Sequence, residues 1–177
     1  MSNLLHETEQ KILDREELAR VVEYRQQSGE HGVFTNGCFD LLHLGHIRYL
    51  QQARAQGDFL ILGLNNDAGV RVLKGAGRPL VPEKERAEIL AALSCVDYIT
   101  IFAEPTAGPL VRLLQPAIYV KGGDYANVNS DQPDVGRLPE AKVVQEYGGS
   151  VRLIPYLPYH STTELIAAIK KLPERSS

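Results

Sequence analysis

Residues 59–64, FLILGL, run apolar for six positions without a polar break. A strand with one face in water alternates polar and apolar residues. An unbroken apolar run bounded by turn signals belongs to a strand covered on both faces, as in a parallel sheet. Further short strands are predicted at Val33–Thr35, Tyr98–Phe102, Ala117–Val120 and Val151–Ile154, with stretches of helical spacing between them. Strand alternating with helix predicts an α/β fold: a central parallel sheet of about five strands, joined by right-handed crossovers and sandwiched between helices.

The helical stretches carry their own punctuation. Asp14 and Glu17 stand at capping-box spacing before Leu18, Val21 and Val22, and Gly29 is a natural stop, so a helix is expected over 15–28. Ile47, Leu50 and Ala53 share a helical face that ends near Gly57. A short helix around Val70–Leu73 runs into the basic loop Lys74-Gly75-Ala76-Gly77-Arg78-Pro79. Pro82 opens a helix whose buried face should be Ile89, Leu90 and Leu93, with Arg86 at the N-terminal end of that stripe. Helices over 110–114 and 139–147 follow, the second ending at Gly148-Gly149. Ser161 and Glu164 frame another capping box before Leu165, Ile166 and Ile169. Residues 126–137 are polar and irregular, too few for a linker between domains. With no internal repeat, the 177 residues read as one domain: a helical lead-in over 1–29 and a catalytic core over 30–172.

Charge and cysteine content exclude several classes. A net charge of −3 and a pI near 6.0 are the wrong footprint for a nucleic-acid partner, though small anions remain available to a local cationic site. Cys38 and Cys95 form no CxxC pair and no disulfide framework, which suits free thiols in a reducing cytosol. The N-terminus has acidic residues where a signal peptide would be apolar, and no run approaches the roughly 18 apolar residues of a membrane span. A cytoplasmic protein is expected.

The unusual residues fall shortly after predicted strands. They are His43-Leu44-Gly45-His46, then Asn65 and Asp67, then Lys121-Gly122-Gly123-Asp124-Tyr125, then Ser161-Thr162-Thr163. In an open α/β sheet those positions share the edge where ligands bind. The stretch FTNGCFDLLHLGHIR (34–48) reads as strand, turn and helix start. Backbone N–H groups at a helix start, two imidazoles and a glycine permitting close approach together make a phosphate seat. Local capping is the bland alternative for the histidines. A metal site with Cys38 lacks a further ligand at zinc spacing, so no metal site is assigned to the protein itself. Lys74 and Arg78 lie on a Gly-rich loop that is equally readable as solvated surface. Arg86, aimed along an apolar face, needs an anionic partner, and a phosphate is the candidate. Gly122 and Gly123 would admit a base or ribose. Ser161 reads as an N-cap and also as an anion seat. No Walker P-loop, no G-x-S-x-G elbow and no G-x-G-x-x-G after a strand is present.

TNGCFDLLHLGH resembles the HxGH signature of the nucleotidyltransferase superfamily, whose fold is a Rossmann-like α/β/α sandwich. Together with LNND, LKGAGRP, ERAEILAAL, VDY, KGGDY and STTELI, over about 11–172, it is similar to the D-glycero-β-D-manno-heptose 1-phosphate adenylyltransferases of ADP-heptose synthesis. In many members this domain follows a sugar kinase. Without one, the chain resembles the stand-alone form, serving lipopolysaccharide core or other surface-glycan assembly. The resemblance implies ATP and a sugar 1-phosphate as substrates, Mg²⁺ carried by the ATP phosphates, and a homodimer. Asn66 stands where Ser is usual, and Tyr159 where Gly is common before STT, which bears on the acceptor sugar. Glycerol-3-phosphate cytidylyltransferase is the rival within the superfamily; its arginine before the S-T pair is Tyr156 here. A nucleotide sensor without turnover is the rival from outside it.

What this implies for the chemistry is attack of a sugar 1-phosphate oxygen on the α-phosphorus of ATP, releasing pyrophosphate. A phosphate monoester needs no general base, so the work is in-line positioning and charge neutralisation. His43, His46, Lys74 and Arg86 are the expected catalytic residues, acting on phosphates. Thr35, Asn36, Gly37, Cys38, Phe39, Gly45, Lys121, Gly122, Gly123, Asp124, Ser161, Thr162 and Thr163 are the expected nucleotide site. Asp40, Asn65, Asp67 and Tyr125 are assigned to the acceptor, with Asp40 or Asp67 alternatively orienting metal-bound water.

Overall fold

The computed structural model describes residues 4–122, 138–155, 157–158 and 160–173. Five parallel strands form one sheet in the order β3-β2-β1-β4-β5: β1 (Gly32–Gly37), β2 (Phe59–Asn65), β3 (Tyr98–Phe102), β4 (Ile118–Gly122) and β5 (Ser150–Ile154). Every residue of β2 is buried, as its unbroken apolar run requires. The helices are α1 (Leu4–Glu9), α2 (Arg15–Gln27), α3 (Leu44–Arg54), α4 (Asp67–Lys74), α5 (Glu83–Ala91), α6 (Gly108–Leu114), α7 (Pro139–Glu146) and α8 (Thr162–Lys170). This is the expected Rossmann-like α/β sandwich.

Strand alternation sends neighbouring side chains to opposite faces. Val33, Leu60, Leu62 and Leu64 pack with Leu50 and Ala53 of α3 and with Ala87, Leu90 and Ala91 of α5. Phe34, Phe59, Ile61 and Tyr119 face the other way, against Leu18 and Val22 of α2, Leu110 and Val111 of α6 and Val144 of α7. The chain leaves β1 toward β2 and β3, then returns to pair β4 on the other side of β1. That reversal opens a crevice beyond the C-terminal ends of β1 and β4, the expected place for a ligand.

Three expectations change. The inward stripe of α5 is Arg86, Ala87, Leu90 and Ala91, while Ile89 is 48% exposed, because the helix turns its 86/90 face to the sheet. No residue of α8 is buried, so Leu165, Ile166 and Ile169 form no core-facing stripe among the described residues. The lead-in is more than helix: Leu13 N–H donates to Ile99 O, and Ile99 N–H to Lys11 O, so residues 11–13 bond the free edge of β3. The 126–137 loop lies outside the described residues.

Candidate active site

The described residues of the four clusters sit where the strands end. β1 ends at Gly37, β2 at Asn65, β4 at Gly122, and β5 leads through 155–160 to the start of α8. Because the sheet is all parallel, these ends share one edge.

His43 is the N-cap residue of α3, with extended backbone and no side-chain capping bond, so the capping explanation of this residue fails. Its ring stacks on that of His46, centroids 3.9 Å apart and planes 26° from parallel, with Phe39 5.3 Å from His46 on a tilted plane. In both imidazoles Nδ1 is buried without a partner, leaving Nε2 as the nitrogen available to a ligand. An orphaned lone pair is cheaper than an orphaned N–H, which favours the Nε2–H tautomer and makes both rings donors. Burial holds both below the ordinary imidazole range. Neighbouring His43 adds to the effect at His46, which is pushed down to about 4, and His160 adds to it at His43 while Glu164 opposes. Neutral stacked donors at a helix start suit charge-stabilising contacts to phosphate.

Gly45 is required for a reason the sequence did not disclose. A Cβ there would lie 2.9 Å from the His43 ring and 3.1 Å from His160 Cβ, so glycine lets the segment before α8 close on the start of α3. Thr162 Oγ1 adds a long 3.5 Å contact to Leu41 O. Ser161 caps α8: its Oγ accepts from Glu164 N–H at 3.1 Å and donates to Glu164 Oε2 at 2.9 Å.

The β1 turn is held from beneath. Phe39 takes a left-handed φ of 43° and is buried, and a Cβ on Gly37 would meet its ring at 2.8 Å. Arg86, expected on a phosphate, is 1% exposed and serves the protein instead. Its Nε donates to Val81 O at 2.9 Å, Nη1 to Cys38 O at 2.5 Å, and Nη2 to Asn65 O at 3.0 Å and Asp67 Oδ1 at 2.8 Å. Four of about five donors are thereby spent, which ties the ends of β1 and β2 to the start of α5. Asn65 is buried, and its carbonyl belongs to this brace. Asp67 shares the brace and keeps some exposure.

Asp40, expected at the acceptor, is also engaged inward. Its carboxylate accepts Leu80 N–H at 2.8 Å, Val81 N–H at 2.9 Å and Arg78 Nε–H. Burial pushes this carboxyl up, but the two amides and the guanidinium outweigh it and hold it below the usual carboxylate range. Thr35 is buried, its hydroxyl 2.7 Å from Tyr49 Oη, so it supports the turn through its side chain and does not reach the open edge. Lys121 donates to Asn36 O at 3.2 Å and Asn36 Oδ1 at 2.9 Å, and Tyr119 Oη donates to the same Oδ1 at 2.9 Å. Burial lowers the Lys121 ammonium, opposed by Glu140 and Cys38. Cys38 keeps a free, half-buried thiol that burial pushes up, with Lys74, Arg86 and Lys121 pulling the other way. Lys74 is exposed at the last turn of α4. Gly122 ends β4; Gly123, Asp124, Tyr125, Tyr156 and Tyr159 lie outside the described residues.

Comparison with known proteins supplies the family. The family described as cytidylyltransferase-like matches residues 34–168, most of the chain. The chain belongs to the cytidylyltransferase-like family. It is accordingly a nucleotidyltransferase. Among curated relatives, the bifunctional protein HldE of Geotalea uraniireducens is 49% identical over 164 residues, 93% of this chain and 32% of that protein. HldE of Syntrophotalea carbinolica is 51% identical over 163 residues, 92% and 32% respectively. The chain thus spans about a third of the length of the curated relatives it matches. A lipopolysaccharide core biosynthesis protein from Thermoplasma volcanium has a solved structure with a TM-score of 0.56 at 28% identity, covering 75% of this chain and all of that one. A pantoate–β-alanine ligase from Francisella tularensis shares the fold at a TM-score of 0.56 and 15% identity, covering 90% and 76%.

Residue-type reasoning missed Tyr49 and Glu83 as organisers of this candidate site, and left His160 without a role beyond its closeness to the Ser161 seat. Tyr49 Oη joins Thr35 Oγ1 to Val120 O, and Glu83 Oε2 accepts the Asp67 N–H at 2.7 Å. Tyr49 follows His46 by three, the same helical face, and that spacing was the available signal.

Proposed function

We propose that the chain transfers AMP from ATP to a sugar 1-phosphate, D-glycero-β-D-manno-heptose 1-phosphate, giving ADP-heptose and pyrophosphate. The observation that carries the chemistry is the stacked His43–His46 pair, with both inner nitrogens buried and unpartnered and both outer ones left for a ligand. The choice of acceptor is supported by identity near one half to the HldE proteins across nine-tenths of this chain, and by the likeness to a lipopolysaccharide core biosynthesis protein.

In this reading an acceptor phosphate oxygen forms a bond to the α-phosphorus, and the bond from that phosphorus to the bridging oxygen breaks. Pyrophosphate leaves with the electron pair. His43 and His46 donate to the triphosphate through Nε2–H, backed by the free N–H groups of α3, and Lys74 supplies positive charge from the loop side. The backbone of 36–39, Gly45 and 161–163 lines the phosphates, and Lys121 with 122–124 borders the nucleoside. Among the described residues no cluster of three or more His, Cys, Asp or Glu side chains is arranged to hold a metal. In this reading a magnesium ion arrives with the ATP phosphates, keeping part of its hydration, as its preference for hard oxygen ligands allows. A single catalytic unit, a homodimer and a cytoplasmic setting belong to the same proposal; light scattering tests the dimer.

The deciding assay measures pyrophosphate release from ATP and from CTP, each against glycerol 3-phosphate and a panel of sugar 1-phosphates, with products identified by phosphorus NMR. ATP with the heptose 1-phosphate should turn over fastest. Faster turnover of CTP with glycerol 3-phosphate overturns the assignment. Tight ATP binding with no release across the panel favours a sensor without turnover.

A further inference from the structure

We propose that Arg78 is a phosphate-binding residue of this site, held in place for that task by Asp40; this rests on the nucleotidyl-transfer reading above. Two arginines approach the β1 turn, and they are used in opposite ways. Arg86 is buried and gives its N–H groups to three carbonyls and Asp67. Arg78 donates Nε–H to Asp40, and its Nη1 and Nη2 groups have no partner among the described residues. Its side chain is 20% exposed while that of Asp40 is 2% exposed, so the pair has a buried anchor and an open end.

The anchor is not a flexible one. Asp40 already accepts the Leu80 and Val81 amides, and Val81 O accepts from Arg86 Nε, so the loop after Arg78 is bound to the turn that carries Cys38 and Asp40. On its other side the loop is loosely built: Gly75 has φ of 97°, and neither Gly75 nor Gly77 has an atom within 4 Å of where a Cβ would stand. A guanidinium fixed through Nε presents its two Nη groups as a planar fork, the geometry that meets two phosphate oxygens at once. The bland reading is an ion pair that merely clips the loop down. A lysine at 78 separates the two, since it can keep the ion pair with Asp40 but has no second fork to offer a ligand.

The experiment uses the full chain. Mg-ATP, inorganic tripolyphosphate and a sugar 1-phosphate are each titrated calorimetrically into wild type, Arg78→Ala, Arg78→Lys and Asp40→Asn. Losing charge-assisted hydrogen bonds should weaken at least one ligand about 10- to 100-fold in Arg78→Ala. Arg78→Lys should share most of that loss with an unchanged melting temperature, and Asp40→Asn should weaken the same ligand in part. Loss confined to ATP and tripolyphosphate assigns Arg78 to the nucleotide; loss confined to the sugar phosphate assigns it to the acceptor. Wild-type affinity for all three ligands in Arg78→Ala overturns the proposal. So does Arg78→Lys binding every ligand as wild type does, since a clip is then sufficient. Failure of the functional reading looks different: wild type binds tripolyphosphate, Arg78→Ala does not, and no sugar 1-phosphate yields product.

Discussion

At the C-terminal end of β1, polar groups are tied into the fold before any ligand arrives, whereas at the start of α8 they are tied mainly to one another, with one long contact to Leu41 O. Cys38 O, Asn65 O, Asp67 and Val81 O converge on one buried guanidinium, and Asp40 takes two amides and a second guanidinium. The α8 start has a Ser161–Glu164 cap, a long Thr162 contact and no buried residue in the helix behind it. Electrostatic catalysis requires donors that do not reorganise as charge develops, and the buried brace beneath the β1 turn gives the stacked histidines of α3 a fixed neighbour. The α8 side has few buried contacts, the local signature of an element that opens at low free-energy cost. On the proposed reading of the site, one half is braced in advance and the other is more loosely held.

The contrast breaks most severely at Arg86. Arg86→Leu removes the donors from three carbonyls and leaves Asp67 without its partner. Breaking a buried, hydrogen-bonded charge costs about 3–5 kcal/mol. Urea unfolding should show a loss of that size, and a stability within 1 kcal/mol or so of wild type would mean that the brace is dispensable, since ordinary surface changes stay within about 0.5 kcal/mol.

His46→Ala tests the donor role in the same half. It should leave the fold in place and lower kcat by about 10²–10³-fold, the effect of losing one preorganised transition-state donor. Pyrophosphate release is the measurement, and near-wild-type turnover would remove His46 from the mechanism.

The same ring should also write itself into the pH dependence of stability. Burial holds His46 at about 4 in the folded chain, against an ordinary value of 6.5. Between those limits the unfolded chain binds the extra proton, so stability is complete above about 6.5 and is lost as pH falls toward 4. Thermal unfolding across that window should show the slope, and His46→Gln should flatten it. An unchanged slope in the variant would place the effect on other groups.

These residues also show what residue patterns could and could not disclose. The β2 run, the capping residues and the placement of four clusters after strands were legible because periodicity and turn chemistry are local. Arg86 was correctly placed on the inward stripe of α5, but its partners were not readable: three backbone carbonyls, two of them from distant segments, leave no mark in residue type. Asp40 failed as an acceptor ligand for the same reason, since its partners are the amides of Leu80 and Val81. Gly45 was read as room for a phosphate; the bulk it avoids also includes the protein's own His43 and His160.

The smallest expected effect lies at the looser half and is the one most able to sharpen the contrast. Ser161→Ala removes the side-chain acceptor for Glu164 N–H, and an N-cap of this kind is worth about 1 kcal/mol. If α8 opens independently of the sheet, that loss should appear as faster amide exchange confined to residues 162–170, with β1 and β2 protected as before and the urea midpoint unmoved. The ligand should partly restore protection, because it binds the closed start of α8 and not the frayed one. A midpoint that shifts with the cap would mean that α8 unfolds together with the sheet, making both halves of the site equally rigid. Local fraying without that shift fixes where adjustment to the ligand takes place, at Ser161 to Thr163 rather than at the histidines.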